Sequence, residues 1–577
     1  MSQTLHGIAV AGGIAIGRVA LVRSRRRDVP HYLIDAAGVD AEVQRFRRAR
    51  QAVGERIQQM RASLPPDMPA DVAAVLDVHL MLLQDDAGAQ SVERWIRERL
   101  YNAEWALVSD LDEVVKQFEE MSDDYLRERK ADLEQLAEHL LRWLQSESGA
   151  KAGEGSAAET PPEASALQVL VARDLSPVDT LQFRRGMFAG FVTDVGGKTS
   201  HTAIVARNLG IPAVVGTRRA SAAVQAGDWL IIDGDAGIVI IDPTPAELSE
   251  YRFKQRQSRQ EAERLAQLKN TPAITRDGQH ITLLANIERP ADAASAVDMG
   301  AVGVGLLRSE FLFMGRAGKL PDEDEQYAAY RRAVEGMQGM PVTIRTADIG
   351  ADKPLDGHVP LRRLNPALGL RAIRWSLAEP EIFLTQVRAI LRAAAHGAVQ
   401  MLIPMLAQLD EVRQTFALIE KARAQLDARG AAHGPVRVGA MIEVPAAALM
   451  VRQFAQHFDF LSIGTNDLVQ YMLAIDRTDE TVAHLYDPLH PAVLRLIADV
   501  IAEGRSQGKP VSICGEMAGD AAMTRLLLGM GLRHFSMHPS RLLAVKQEVL
   551  AADTEELADW ADAVLASDSP ASLLAEG

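Results

Sequence analysis

The chain has 577 residues, 47% hydrophobic and 24% charged, with a formal net charge of -15. A chain of that length holds roughly three or four domains. Its acidic balance argues against nucleic acid as the main partner, because phosphate binding wants a basic surface. No apolar run is long enough for a membrane-spanning helix. A lone cysteine forms no internal disulfide and suits a reducing cytoplasm. The opening MSQTLHGIAVAGGIAIG has no basic segment before its apolar residues, so it does not read as a secretory signal. The expectation is a cytoplasmic protein with no membrane insertion. Two basic runs, Arg23 to Arg27 and Arg45 to Arg50, break the acidic trend and are expected to be solvated faces.

Residues 1 to about 28 read as strand, with Gly12, Gly13 and Gly17 marking turns or a bulge. From about 35 to 146 the pattern becomes helical. Leu76, Leu80 and Leu83 share one face, as do Leu133, Leu136, Leu140 and Leu144, so four helical segments are expected. Residues 146–165 are rich in Gly, Ser, Ala, Glu and Pro and read as a flexible linker. Strand signals resume at 167–172, 188–193, 213–215, 229–233 and 237–241, enough for a compact α/β domain with the N-terminal strand.

Within that domain lies Gly196-Gly197-Lys198-Thr199-Ser200-His201-Thr202-Ala203-Ile204-Val205-Ala206-Arg207. Two glycines permit a tight turn, Thr199 and Ser200 suit a helix start, and Ile204, Val205 and Leu209 give an apolar helical side. His201 thus sits near a helix N-terminus, where anions are favoured and a neutral imidazole could act as a nucleophile. Taken alone, a surface histidine after a Gly-Gly turn is the simpler account. The whole dodecamer, however, resembles the phosphohistidine loop of the PEP-utilising phosphotransferases, and the resemblance implies that phosphoenolpyruvate phosphorylates His201. It also implies a contact between the Thr180 hydroxyl and that histidine, which could fix the imidazole tautomer. A locally bonded hydroxyl explains Thr180 as well. Residues 78–86 and 123–129 are similar to the carrier-docking domain of Enzyme I of the sugar phosphotransferase system. On periodicity alone their leucines are bundle core.

A charged, helix-prone stretch from Pro245 to about Asn270 leads into alternating strands and helices. Strand candidates at 281–287, 303–307, 342–346, 401–405, 438–443, 458–463, 511–514 and 534–537 predict a (β/α)8 TIM barrel. Its active site belongs at the strand C-termini. Arg308, Arg345, Glu443, Asn466, Asp467 and Cys514 fall at or just after strand ends, with Arg477 ten residues beyond Asp467. Singly, each would be a solvated strand end, and a lone cysteine is usually buried packing. Together they suit phosphoenolpyruvate (PEP). Arginine forks bind its phosphate and carboxylate. Glu443 and Asp467 would hold a hard divalent ion, Mg2+ with Mn2+ as substitute. Cys514 could protonate the enolate left after transfer.

The expected organisation is a multidomain α/β protein. A phosphohistidine α/β domain comprises 1–30 and 166–245, interrupted by a helical HPr-binding insertion at 31–146 and a flexible linker at 147–165. A linker helix at 246–270 then leads to a PEP-binding barrel at 271–577. This order resembles Enzyme I. The dikinase relatives need a large ATP-binding domain, whereas about 110 helical residues stand in its place, without a glycine-rich phosphate loop. The resemblance implies autophosphorylation on His201, transfer to a histidine of an HPr-type carrier, and a homodimer through the barrel. A dikinase-like enzyme and a PEP-responsive regulatory protein remain the alternatives.

Overall fold

The computed structural model describes residues 2–22, 29–62, 70–119, 124–149, 168–173, 175, 188–197, 206, 211–313, 320–349, 366–477, 479 and 481–576. The chain divides into two compact units, Met1–Glu261 and Ala262–Gly577.

In the first unit the N-terminal segment forms three strands, where the sequence suggested one: β1 (Gln3–His6), β2 (Ile8–Ala11) and β3 (Ile14–Val22). Gly13 makes the second turn at φ 103, a left-handed conformation that suits glycine. Gly17, expected at a turn, lies inside β3 opposite Leu230. The later strands are β4 (Gln168–Ala172), β5 (Gly190–Thr193), β6 (Ala213–Val215), β7 (Trp229–Asp233) and β8 (Ile238–Ile241). Among the described residues they make one eight-stranded sheet, ordered β1-β8-β7-β3-β4-β5-β6-β2. β3, β4, β5 and β6 run parallel. The β4 and β5 residues are almost wholly buried, as parallel strands covered on both faces must be.

Between β3 and β4, neighbours in the sheet, the chain makes α1 (Val39–Ala62), α2 (Ala70–Gln84), α3 (Asp86–Arg99), α4 (Ala103–Glu119) and α5 (Asp124–Gly149). These are five helices, not four, because the chain breaks at Asp85 between α2 and α3. Leu76, Leu83, Leu136, Leu140 and Leu144 join one core with Phe46, Ile57 and Ile96. The solvated-face reading of Arg45 to Arg50 fails at two positions. Arg45 donates to Glu42 at 2.7 Å, to the buried Glu104 and to the Leu144 carbonyl at 2.9 Å. Arg50 donates to the carbonyls of Leu83 and Asp85. Long arginine stems cross the apolar seam and bring charge to the Leu144 carbonyl within α5 and to the Leu83 carbonyl in the last turn of α2, where carbonyls lack helical partners. Arg47 does keep the surface character expected, pairing with Glu93. Residues 23–27 lie outside the described residues, as do 150–165 of the linker expected at 147–165, whereas 147–149 continue α5.

A helix over Pro245–Ala266, α6, follows. The Thr244 N–H donates to the Glu247 carboxylate at 2.7 Å and the Glu247 N–H to Thr244 Oγ1 at 3.3 Å, a reciprocal cap. Tyr251 packs against Ile16, Ile231 and Ile240. The helix ends before the expected residue 270.

The second unit is a closed barrel: β9 (Thr282–Ile287), β10 (Val304–Arg308), β11 (Val342–Arg345), β12 (Val399–Ile403), β13 (Val436–Ile442), β14 (Phe460–Ile463), β15 (Val511–Ile513) and β16 (His534–Met537). Each strand is parallel to the next, and β16 pairs with β9. The (β/α)8 expectation is met, with boundaries shifted by one or two residues. Leu306, Leu402, Met441, Phe460 and Cys514 fill an interior layer, and the outward faces pack on the helices.

Two of those helices, α7 (Glu323–Gly336) and α8 (Pro380–Ala393), support the ends of β10 and β11 through buried Gln386. Its Oε1 accepts from the Ala347 N–H at 2.9 Å, and its Nε2 donates to Ser309 Oγ at 3.0 Å and Tyr330 Oη at 2.8 Å. Tyr330 in turn donates to Gln326 at 3.2 Å. Burial without such partners is costly. Gln386→Leu should therefore cost roughly 2–4 kcal/mol of stability in urea unfolding of the full chain. A loss no larger than that of a surface substitution would show that the network carries no strain-free support.

Candidate active site

The seven barrel residues singled out by strand position, Arg308, Arg345, Glu443, Asn466, Asp467, Arg477 and Cys514, line one cavity of about 490 Å³ at the strand C-termini. Parallel closure brings the ends of β10, β11, β13, β14 and β15 to the same rim. His201 and Thr180 lie outside the described residues. The approach to His201 is built, however. Asp194, after β5, accepts from Thr217 Oγ1 and the Ser221 N–H, both at 3.1 Å. Gly196 then turns at φ 120, the tight turn expected of the glycine pair.

Local backbone fixes each group at the rim. Asp467 stands in the first turn of α9 (Thr465–Leu473), where the helix dipole favours a carboxylate. Asn466 Oδ1 accepts from the Glu516 N–H at 2.9 Å. Met405 takes φ 59, at a cost of about 1–2 kcal/mol for a residue with a Cβ, and its N–H reaches Glu443 Oε1 at 2.7 Å. A Cβ on Gly515 would fall 1.9 Å from Thr465 Oγ1, so only glycine lets the Cys-Gly-Glu turn close on α9.

The arginines are already engaged. Arg345 donates to Glu310 and lies 3.3 Å from Asp348. Arg371 holds Asp348 with both arms of its fork, at 3.0 and 2.8 Å, reaches Asp467 Oδ2 at 3.1 Å and Tyr471 Oη at 3.1 Å. Arg477 approaches the other Asp467 oxygen at 3.5 Å, and Arg308 pairs with Glu288 at 3.3 Å. Strand position missed Arg371, Asp348 and Glu310. Asp348 stands three residues beyond Arg345 and was within reach of the same rule. Arg371 was not, since it lies ahead of the Ile373–Ala378 helix, far from any strand end.

The electrostatics follow from burial. Asp348 is held below its ordinary range: burial opposes this, but the guanidinium groups of Arg345 and Arg371 prevail. Glu443, 2% exposed, is pushed up to about 8, first by burial and then by the Asp467 and Asp348 carboxylates. Burial also raises the Cys514 thiol. Two buried carboxylates that repel each other fit a hard divalent ion, which relieves the repulsion that a proton otherwise neutralises. Among the described residues no group of three or more His, Cys, Asp or Glu could hold a metal. Water and substrate oxygens would complete the shell, as magnesium allows.

A family model described as "PEP-utilising enzyme, PEP-binding domain" matches residues 262–554. Two further models, "PEP-utilising enzyme, N-terminal" and "PEP-utilising enzyme, mobile domain", match 6–129 and 165–237. A phosphoenolpyruvate-protein phosphotransferase of Cupriavidus necator is 56% identical over 99% of this chain and 98% of its own. Proteins of the same name from Bacillus sp. (strain S) and Geobacillus stearothermophilus are 42% and 41% identical, each over 98% of this chain and 96% of their own. The chain belongs to the phosphoenolpyruvate–protein phosphotransferases of the PEP-utilising enzyme family.

It is thus an enzyme of PEP-dependent phosphotransfer. For such a phosphotransferase, the mixed-sign rim explains how an anion enters an acidic protein: fixed guanidinium groups offset the local carboxylates. Among the described residues, no helix is long and apolar enough to cross a membrane.

Glu443 makes the metal-free phosphotransferase pH-sensitive. Its folded pKa lies above the ordinary 4.5, so its contribution is complete below that value and is lost as pH rises through about 8. In excess chelator, the wild-type Tm should fall between about pH 5 and pH 8 and level off above that, and Glu443→Gln should flatten that decline. Parallel Tm profiles for the two proteins would contradict the assignment of a proton to Glu443.

Proposed function

We propose that the enzyme phosphorylates itself on His201 with PEP and passes the phosphoryl group to a histidine of an HPr-type carrier, the first step of a phosphotransferase system for sugar uptake. The observation that carries this reading is the meeting at one cavity of seven residues borne at or beyond the ends of five strands, in a chain of this family. Arg308, Arg345 and Arg477, with Asn466 and Asp467, bind the PEP phosphate and carboxylate. Arg345 exchanges Glu310 for the substrate anion. Glu443 and Asp467 hold Mg2+, or Mn2+ in its place, and the bound ion supplies Lewis-acid polarisation of the substrate oxygens.

The neutral imidazole of His201 attacks phosphorus. A P–N bond forms as the P–O bond to the enolate oxygen breaks, with the arginines opposing the charge that develops. Cys514 then gives its proton to the substrate methylene carbon, and pyruvate leaves. The Thr180 hydroxyl fixes the His201 tautomer. The helical insertion docks the carrier, the barrel supplies a homodimer contact, and the cytoplasm is the setting. The chain is read as a phosphohistidine domain (1–30 and 166–245), helical insertion (31–146, its last helix running on to Gly149), flexible linker (the remainder to 165), linker helix (expected to 270, ending at Ala266) and barrel (271–577).

The test uses labelled PEP with a purified HPr-type carrier. Wild type should acquire an acid-labile phosphate and pass it to the carrier, and excess chelator should stop both. His201→Ala should still bind PEP yet take up no label. Acid-labile label on that variant, or undiminished turnover in chelator, refutes the proposal.

A further inference from the structure

Ser462 is a buried hydroxyl that the chemistry above does not use. It lies in β14 and is 1% exposed. Strand alternation puts it on the inner face with Phe460, part of the interior layer that contains Cys514. Register sets it beside Met441 of β13, also in that layer, and opposite Ser512 of β15, two residues before Cys514. Ser462 Oγ has no hydrogen-bond partner, although a buried polar atom is normally satisfied. Its neighbour Ser512 bonds the Leu461 carbonyl instead, at 3.4 Å.

The Cys514 side is constrained. Its thiol donates to the Ile463 carbonyl at 3.6 Å, which leaves the sulfur lone pairs open. Its carbonyl accepts from Asn286 Nδ2 at 2.9 Å, and Asn286 Oδ1 accepts from Ser536 Oγ at 2.5 Å. The Cys514 N–H donates to the Ile463 carbonyl of β14 at 3.1 Å, so backbone bonding holds the strand end beside β14. Burial is the dominant influence on the thiol and pushes its pKa up, while the Ser462 hydroxyl pulls it down. The buried hydroxyl, without a partner at rest and one strand over from Ser512 on the inner face that also holds Cys514, is placed to answer charge that appears on the sulfur.

We propose that Ser462 is the positioning residue for proton transfer by Cys514: its hydroxyl turns to donate to the thiolate that forms when Cys514 protonates the enolate. This rests on the reading of Cys514 as the acid. In the step, the S–H bond breaks, a C–H bond forms at the substrate methylene carbon, and sulfur keeps the electron pair. The enolate oxygen becomes the pyruvate carbonyl. The Ser462 proton stays on its own oxygen and only changes direction. A thiolate is a better acceptor than a thiol, so the bond strengthens as charge appears, the condition for lowering a barrier.

The experiment follows exchange of pyruvate methyl protons with deuterated solvent by the full-length, unphosphorylated enzyme with Mg2+, read by NMR. Loss of a hydrogen bond to a charged group predicts a slowing of about tenfold or more in Ser462→Ala, with PEP affinity unchanged. Ser462→Thr, which keeps the hydroxyl, should restore exchange. The hydroxyl has no partner at rest, so the alanine variant should melt no lower than wild type, whereas a structural role would lower its Tm. Wild-type exchange in Ser462→Ala, alongside inactive Cys514→Ala, overturns the proposal. Slowed exchange that tracks a lowered Tm and is not rescued by threonine overturns it too. Undiminished exchange in Cys514→Ala would instead remove the underlying reading of Cys514.

Discussion

Arg371 is the contact on which the site depends. It joins Asp348, beyond β11, to Asp467, at the head of α9, and takes its remaining support from Tyr471. Without Arg371, Asp348 would keep only Arg345 and Asp467 only the longer Arg477 contact, and buried like charges so weakly offset shift pKa until one is neutral. Even with Arg371 present, Glu443 is driven toward its acid form. The mouth is therefore poised between proton and cation, while its arginines are held in place by carboxylates of the protein.

The barrel makes this poise structural. Eight parallel strands close on themselves, and their C-terminal ends open toward one rim. Gln386, fully inside the wall, satisfies the Ala347 amide behind β11 and the Ser309 hydroxyl behind β10. Those two turns carry Arg345, Asp348, Arg308 and Glu310. Under the proposed function, a substrate anion drawing Arg345 from Glu310 would work against a rigid backbone, which favours exchange of side-chain partners over movement of strands.

The helical insertion shows where charge patterns mislead. Arg45 and Arg50 sit in a run that looks like solvent-facing helix, yet they carry charge across the bundle to carbonyls of Leu144 and Leu83. A run of arginines tells nothing about which of them meets a neighbouring helix end, because that depends on helix rotation and crossing. The count of helices failed for a similar reason. The break at Asp85 is a single residue between two helix-forming stretches, with no glycine or proline at the junction to mark it.

The sequence by itself determined the barrel, its eight strands to within a residue or two, and the seven residues at its mouth. Alternation of buried strands and amphipathic helices is local, and the strand-end rule turns that order into a shared rim. Division of the N-terminal strand at Gly7 and Gly12-Gly13 was left to the tertiary structure, because each short piece pairs with a different distant strand: β1 with β8, β2 with β6 and β3 with β7. Only the folded chain decided the partners of the arginines. Arg371 and Asp467 are about a hundred positions apart, and no local pattern encodes which carboxylate a guanidinium will meet once the barrel closes. Glu443 was legible as a carboxylate at a strand end. Its preference for a proton was not, since that comes from burial and from neighbours that only closure assembles.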